Sequence, residues 1–302
     1  MSEYEIVDAK EGAELTDENT IRCLDKGFVR LVDVMGDDSS VVQAARVSYG
    51  KGTKSVREDK RLINYLMKHR HTSPFEMVEF KFHCKMPIFV ARQWIRHRTA
   101  SVNELSGRYS VMKDEVWEPS PSDLRKQSQL NKQCSTQETV GEPHASKIIQ
   151  EFKEDQRRLF EHYNSYLESG IAREIARANL PLSTYTEWYW KIDLHNLFHF
   201  LELRLAPEAQ REIRVYAEAI SEFVKRKCPL SWEAFEEHSL NGVRFSRSEI
   251  AILRSVIKEN WLMDKIEEMR LNQLKKEGLS DSSIRVELTE LREKLTGERL
   301  NY

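Results

Sequence analysis

From Met77 to Cys84 the chain alternates: Val78, Phe80, Phe82 and Cys84 fall on one side, Glu79, Lys81 and His83 on the other. That period of two predicts a half-buried strand. Phe28–Met35, ended by Gly36, predicts a second strand. Ser183–Ile192, with Tyr185, Trp188, Tyr189 and Trp190, predicts a third, and a short one is expected at Tyr4–Val7. Elsewhere the spacing is helical. Val41–Val47 follows Asp38 or Ser39 as cap, and Asp59–Arg70 puts Leu62, Ile63, Tyr65 and Leu66 on one side. A short helix is expected after Pro87, whose missing N–H costs nothing at a helix start, with Ile88, Phe89, Trp94 and Ile95 as its apolar stripe. Ala145–Ser169 buries Ile148, Ile149, Phe152, Leu159, Phe160, Tyr163 and Leu167, and Gly170 closes it. Asp193 caps Leu194–Leu205, and a further helix starts at Pro207 and ends at Cys228-Pro229. Pro119–Ser146 has no period and reads as a long surface loop. Strands and helices mixed in this way predict an α+β fold.

Beyond residue 240 the pattern changes. Ser246 and Glu249 form a capping-box pair ahead of an apolar stripe at Ile250, Leu253, Ile257 and Trp261. Eleven Lys/Arg and eleven Asp/Glu are interspersed over residues 247–302, as on solvent-facing helices. The expectation is a core of residues 1–240 and a helical extension, 241–302, folded as a hairpin broken near Gly278.

The 302 residues, 40% hydrophobic and 9% aromatic, suffice for a substantial core. A net charge of −2 gives no global attraction to nucleic acid or to a membrane. The apolar run Met86–Ala91 is far short of the ~18 residues of a membrane span, and the first residues show no signal-peptide pattern. Cys23, Cys84, Cys134 and Cys228 have neither zinc-knuckle nor disulfide-framework spacing, which suits a cytoplasmic protein.

Against this near-neutral background, Lys81–Arg108 holds six Lys/Arg and one acidic residue, Glu104. Charge alone suits a solvated cationic face. The Ser106-Gly107-Arg108 turn and the lone Glu in the same loop favour an anionic ligand, since Arg offers planar, bidentate contacts to phosphate. Gln93, Arg96, Glu104, Ser106, Gly107, Arg108, Arg177 and Arg204 together would suit a phosphorylated, planar ligand. Ser106 has no base in sequence context and is a poor nucleophile unactivated, which points to chemistry carried by a cofactor.

Arg96-His97-Arg98, seven residues and then Ser106 resembles the signature of the flavin-dependent thymidylate synthases. Arg-Gln-Trp-Ile before it and Asn-Glu-Leu-Ser-Gly-Arg-Tyr-Ser after it are similar to that family too. So are His71-Thr72-Ser73-Pro74-Phe75-Glu76 and Arg173-Glu174-Ile175-Ala176-Arg177. The resemblance covers roughly residues 25 to 235. It implies a mixed or antiparallel sheet flanked by long helices, the fold of the thymidylate synthase-complementing proteins. It also implies reductive methylation of dUMP to dTMP, with methylenetetrahydrofolate as carbon donor, FAD as hydride carrier and NADPH as reductant. FAD contacts are implied at His71, Ser73, Arg96, His97, Arg98, Glu104, Asp193, Leu194, His195 and His199. dUMP contacts are implied at Gln93, Trp94, Ile95, Arg96, Glu104, Leu105, Ser106, Gly107, Arg108, Arg177 and Arg204. Arg204 is the catalytic residue in this reading, over the pyrimidine, and Ser106 only binds. Homotetramers with shared active sites are implied as well, and the chain has no Rossmann glycine fingerprint, which fits a flavin site formed between subunits.

Two other classes were weighed. A nucleic-acid binder would use the 81–108 patch with Trp94 and Tyr109 as stacking surfaces. A metallohydrolase would use His195 and His199 at i and i+4, but the intervening residues are Asn196, Leu197 and Phe198, and no third ligand is evident.

Overall fold

The structure, a computed structural model, describes residues 18–47, 56–129, 131–257 and 260–297. The strand expected at Tyr4–Val7 lies outside them. The chain divides into two compact units, residues 1–241 and 242–302.

The first unit is built on an antiparallel five-stranded sheet. Its strands are β1 (Thr20–Cys23), β2 (Gly27–Met35), β3 (Glu79–Pro87), β4 (Ser101–Glu104) and β7 (Tyr185–Asp193), in the order β1-β2-β3-β7-β4. The alternation in β3 is realised: Val78, Phe80, Phe82 and Cys84 are buried, and Glu79, Lys81 and His83 share the other face with Tyr189 and Lys191 of β7. The buried face is covered by α1 (Asp38–Val47), α2 (Val56–Lys68), α3 (Ile88–Trp94), α6 (Leu194–Arg204), α7 (Arg211–Lys227) and α8 (Pro229–Phe235). Between lie β5 (Arg125–Gln127), β6 (Ser135–Thr139), α4 (His144–Glu168) and α5 (Arg173–Ala176).

Several local expectations are corrected. Residues 119–146 are not one loop: β5 and β6 pair as a hairpin, which Arg125 ties to Glu212 at 2.8 Å. Its residues are polar on both faces, so alternation could not reveal it. α7 begins at Arg211 rather than Pro207, because Pro207–Gln210 makes a turn closed by Ala209 N–H to Ala206 C=O at 2.9 Å. The buried side of α4 is Ala145, Gln156, Phe160 and Tyr163, while Phe152 is exposed. In α3 the inward residues are Val90, Ala91 and Trp94, and Ile95 is exposed. Asp37, not Asp38 or Ser39, accepts the Ser39 N–H at the head of α1. Asp38 reaches the first turn of α8, accepting from the backbone N–H of Leu230 and of Ser231.

The second unit is three helices, α9 (Arg247–Ile257), α10 (Asn260–Lys276) and α11 (Asp281–Thr296), rather than a hairpin. The capping box forms as expected: Ser246 N–H donates to Glu249 Oε2 at 2.7 Å and Glu249 N–H to Ser246 Oγ at 3.3 Å. Gly278, at φ 70°, lies between α10 and α11. Of the expected stripe, Ile250, Leu253 and Ile257 are half-buried and Trp261 is exposed. The buried apolar residues are Met263, Leu274 and Ile284.

Candidate functional site

The signature loop leaves the sheet at Pro87, which ends β3 opposite Tyr185 and caps α3. Two turns later Trp94 drives into the centre of the core. Its ring centroid lies 5.4 Å from that of Trp188, 5.1 Å from Trp190 and 5.0 Å from Phe200. Such aromatic packing carries both large burial and directional preference. It fixes where α3 ends and so where Arg96, His97 and Arg98 emerge. Arg96 and Arg98 are exposed and His97 is half-buried.

The loop then becomes β4. Asn103 lies opposite Tyr189 and Glu104 opposite Trp188. Thr186 Oγ1 donates to Glu104 Oε1 at 2.8 Å, and Leu105 N–H donates to Glu187 C=O at 2.8 Å. The turn that follows is closed by Tyr109 and Ser110 N–H groups donating to Ser106 C=O, while Ser106 Oγ accepts the Arg108 N–H at 3.3 Å. Among the described residues no imidazole or carboxylate is hydrogen-bonded to Ser106 Oγ, so nothing here activates it as a nucleophile.

Gly107 is closely packed. A Cβ there would stand 2.8 Å from Met112 Sδ and 3.0 Å from Arg177 Cδ, so a larger residue would displace these side chains. The stem of Arg177 therefore packs against the turn at Gly107. Met112 is held in turn by Tyr163 of α4, whose hydroxyl accepts the Met112 N–H at 2.9 Å. Arg108 pairs with Glu174 at 3.3 Å and Arg173 donates to Tyr109 C=O at 3.1 Å. The Arg108–Glu174 pair is more than half exposed and worth little by itself.

A second group forms at α6. Asp193 caps the helix, taking the Asn196 N–H at 2.9 Å on one oxygen and Asn196 Nδ2 at 2.7 Å on the other. Toward the far end, Arg204 Nε donates to His97 Nε2 at 3.0 Å. The His97 ring lies 5.9 Å from His199 and 4.9 Å from Phe200. Burial, reinforced by the Arg204 charge and by His199, pulls the His97 pKa down to about 4, so it is neutral at ordinary pH. Burial also lowers the Arg204 pKa below the usual arginine value.

The Ser73 turn meets α6 through Phe75, 6.3 Å from Phe198 between ring centroids. His71 sits beside Tyr65 at 5.8 Å, and both His71 and Ser73 are exposed. His195 is half-buried and His199 exposed; among the described residues no group of three His, Cys, Asp or Glu could hold a metal ion. Trp94 and Leu194 are wholly buried, with the Leu194 N–H donating to Val78 C=O at 2.8 Å and the Trp94 C=O accepting the His97 N–H at 3.0 Å, so neither presents surface to a ligand in this chain. Gln93 has its Oε1 buried with no partner among the described residues, while Ile95 and Leu105 are exposed. Sequence reasoning did not find Thr186, Met112 or Tyr163, which position Glu104, Gly107 and the turn. A small polar residue inside an alternating strand was the one signal, at Thr186.

Residues 30–230 match the family model described as thymidylate synthase complementing protein. The chain belongs to this family. A flavin-dependent thymidylate synthase of Thermus thermophilus is 62% identical over 238 residues, 79% of this chain and 86% of the relative. One of Treponema denticola is 54% identical over 259 residues, 85% of this chain and 97% of the relative. Among solved structures, PolB of Streptomyces cacaoi, a UMP/dUMP methylase bound with 5-Br dUMP, aligns with a TM-score of 0.67 at 33% identity, covering 73% of this chain and 99% of its own. The thymidylate synthase complementing match spans every residue of both groups, His71 to Arg204, and stops short of residues 242–302.

Proposed function

We infer that this chain is a flavin-dependent thymidylate synthase that methylates dUMP to dTMP. The observation that carries the reading is the 62% identity to a synthase of that name across a stretch containing the whole candidate site. For the finer assignments, methylenetetrahydrofolate as carbon donor, NADPH as reductant and FAD as the form of flavin follow from the resemblance of the signature, as do a homotetramer with shared sites and a cytoplasmic location. Among the described residues no helix is long and apolar enough to cross a membrane. The nucleic-acid alternative has no support beyond the local basic patch in a chain of net charge −2.

The residues present fit a flavin nucleotide. Arg96, Arg98, His71, Ser73, His195 and His199 offer partly or fully exposed donors. The two nearby carboxylates are already engaged, Asp193 by Asn196 and Glu104 by Thr186. We assign these donors, with His97, to the flavin. Bound there, the flavin supplies hydride transfer.

The nucleotide is assigned to Gln93, Ile95, Arg96, Glu104, Leu105, Ser106, Gly107, Arg108 and Arg177, with the buried Trp94 fixing the end of α3 beneath them. In this reading Arg177, whose stem lies against the Gly107 turn, and Arg108 hold the phosphate. Ser106 binds and does not attack. Arg204 stabilises the negative charge that develops on the pyrimidine as its C5 becomes nucleophilic. A fixed guanidinium with half of its surroundings dry is suited to that. The test is the purified protein itself. It should carry a flavin visible in its absorption spectrum and form dTMP from dUMP, methylenetetrahydrofolate and NADPH. A folded, colourless protein that forms none would overturn the reading.

A further inference from the structure

His97 lies at the centre of the signature, yet its ring nitrogen is taken by another protein group. Arg204 Nε can only donate, so His97 Nε2 must be the lone-pair nitrogen and the ring proton must sit on Nδ1. The ring is held in place by Phe200, edge to face at 4.9 Å, and by the backbone bond from His97 N–H to Trp94 C=O at 3.0 Å. Trp94 in turn is locked into the aromatic core. The acceptor thus stands on a rigid post, while Arg204 occupies the last turn of a different element, α6.

The bond takes one of the five guanidinium N–H donors. The other four, on the two terminal nitrogens, have no partner among the described residues. An arginine tethered at Nε and free at both terminal nitrogens has its pivot fixed and its fork open, the arrangement bidentate recognition uses. The protonation state agrees. Among the groups packed on His97, Arg204 is cationic and His199 stands 5.9 Å away, and with burial they keep the imidazole neutral down to about pH 4. A protonated His97 would lose the acceptor and repel the guanidinium.

We propose that His97 is a positioning residue for the thymidylate synthase reaction, holding the Arg204 guanidinium by its Nε so that the terminal N–H fork is preset for the pyrimidine. The proposal rests on the reading of Arg204 given above. It also leaves Nδ1–H as the one ring nitrogen His97 can offer a flavin.

The test compares His97→Phe, His97→Gln, Arg204→Ala and the double variant His97→Phe/Arg204→Ala, each checked for flavin content and for dUMP affinity by titration. Phe keeps a ring against Phe200 and removes the acceptor, whereas Gln restores an acceptor near the Nε2 position. Assayed with saturating flavin, because it gives up the Nδ1–H contact, His97→Phe should bind dUMP within about threefold of the parent. Its kcat should fall by about 10- to 100-fold, as misplacing a stabilising group does. His97→Gln should recover most of that loss. The double variant should be no slower than Arg204→Ala alone, because the two residues act as one unit. A His97→Phe variant with the parent's kcat, a Gln variant no better than Phe, or losses that multiply in the double variant would each overturn the positioning role. If Arg204→Ala itself turns over like the parent, the reading of Arg204 falls and the proposal with it. A collapse in Arg204→Ala with His97→Phe unaffected sinks the proposal alone.

Discussion

The two units of this chain bury their apolar residues in different ways. In residues 1–241 the sheet and helices enclose Trp94, Trp188, Trp190, Phe200 and Tyr216, packed ring against ring with none more than 2% exposed. In residues 242–302 the described helices bury Met263, Leu274 and Ile284. They leave Ile252, Val256 and Met269 more than half exposed and add ion pairs such as Arg292–Glu267. The difference separates precision from bulk. A catalytic loop must be held within a fraction of an ångström, and interlocked aromatics at the foot of the loop do that. A three-helix unit with a thin core and balanced surface charge has no such demand placed on it. The candidate site lies in the first unit, and we propose that the second is a separately folded addition.

The sharpest way to break this contrast is at Arg204. Arg204→Ala should leave the fold and flavin content intact and lower dTMP formation by about 10²- to 10³-fold, the cost of removing a preorganised electrostatic stabiliser. A steady-state assay with the flavin spectrum recorded alongside decides it, and turnover at the parent rate would remove Arg204 from the mechanism. Next come the cores. Trp94→Ala should cost about 3–5 kcal/mol, a large share of a domain's stability, and should take the flavin site with it. Met263→Ala, about 2–5 kcal/mol by the same rule, should loosen residues 242–302 alone and leave dTMP formation unchanged. Thermal unfolding followed by flavin release and by helical signal separates the two. A Met263 variant that loses flavin would contradict the division. The smallest effect is expected at Ser106. Its Oγ accepts one backbone N–H, so Ser106→Ala should remove about 0.5–1.5 kcal/mol, roughly tenfold in dUMP affinity, and keep measurable turnover. Abolished turnover with dUMP still bound would make it a nucleophile after all.

Much of this was legible in the sequence because it was local. The alternation of β3, the Asp193 cap and the Ser246–Glu249 box are all short-range patterns, and each is found where the pattern puts it. The parts that escaped depend on contacts between distant residues. The Arg204–His97 bond joins positions 107 residues apart, and no periodicity encodes it. Arg177 and Met112 pack against the turn at Gly107, a contact that no local pattern shows. Asp38 looked like the cap of α1, while its carboxylate serves α8, nearly 200 residues on. The β5–β6 hairpin, polar on both faces, has no apolar alternation to read, and its anchor at Glu212 is a long-range ion pair.

We propose that residues 1–241 contain everything the flavin site and its chemistry require. Deleting residues 242–302 and measuring flavin per chain together with dTMP formation, at a temperature where the shortened protein is folded, tests it directly. Flavin content and turnover should match the parent's, with thermal stability or subunit association lowered at most. A folded but colourless shortened protein, or one that holds flavin and forms no dTMP, would contradict it.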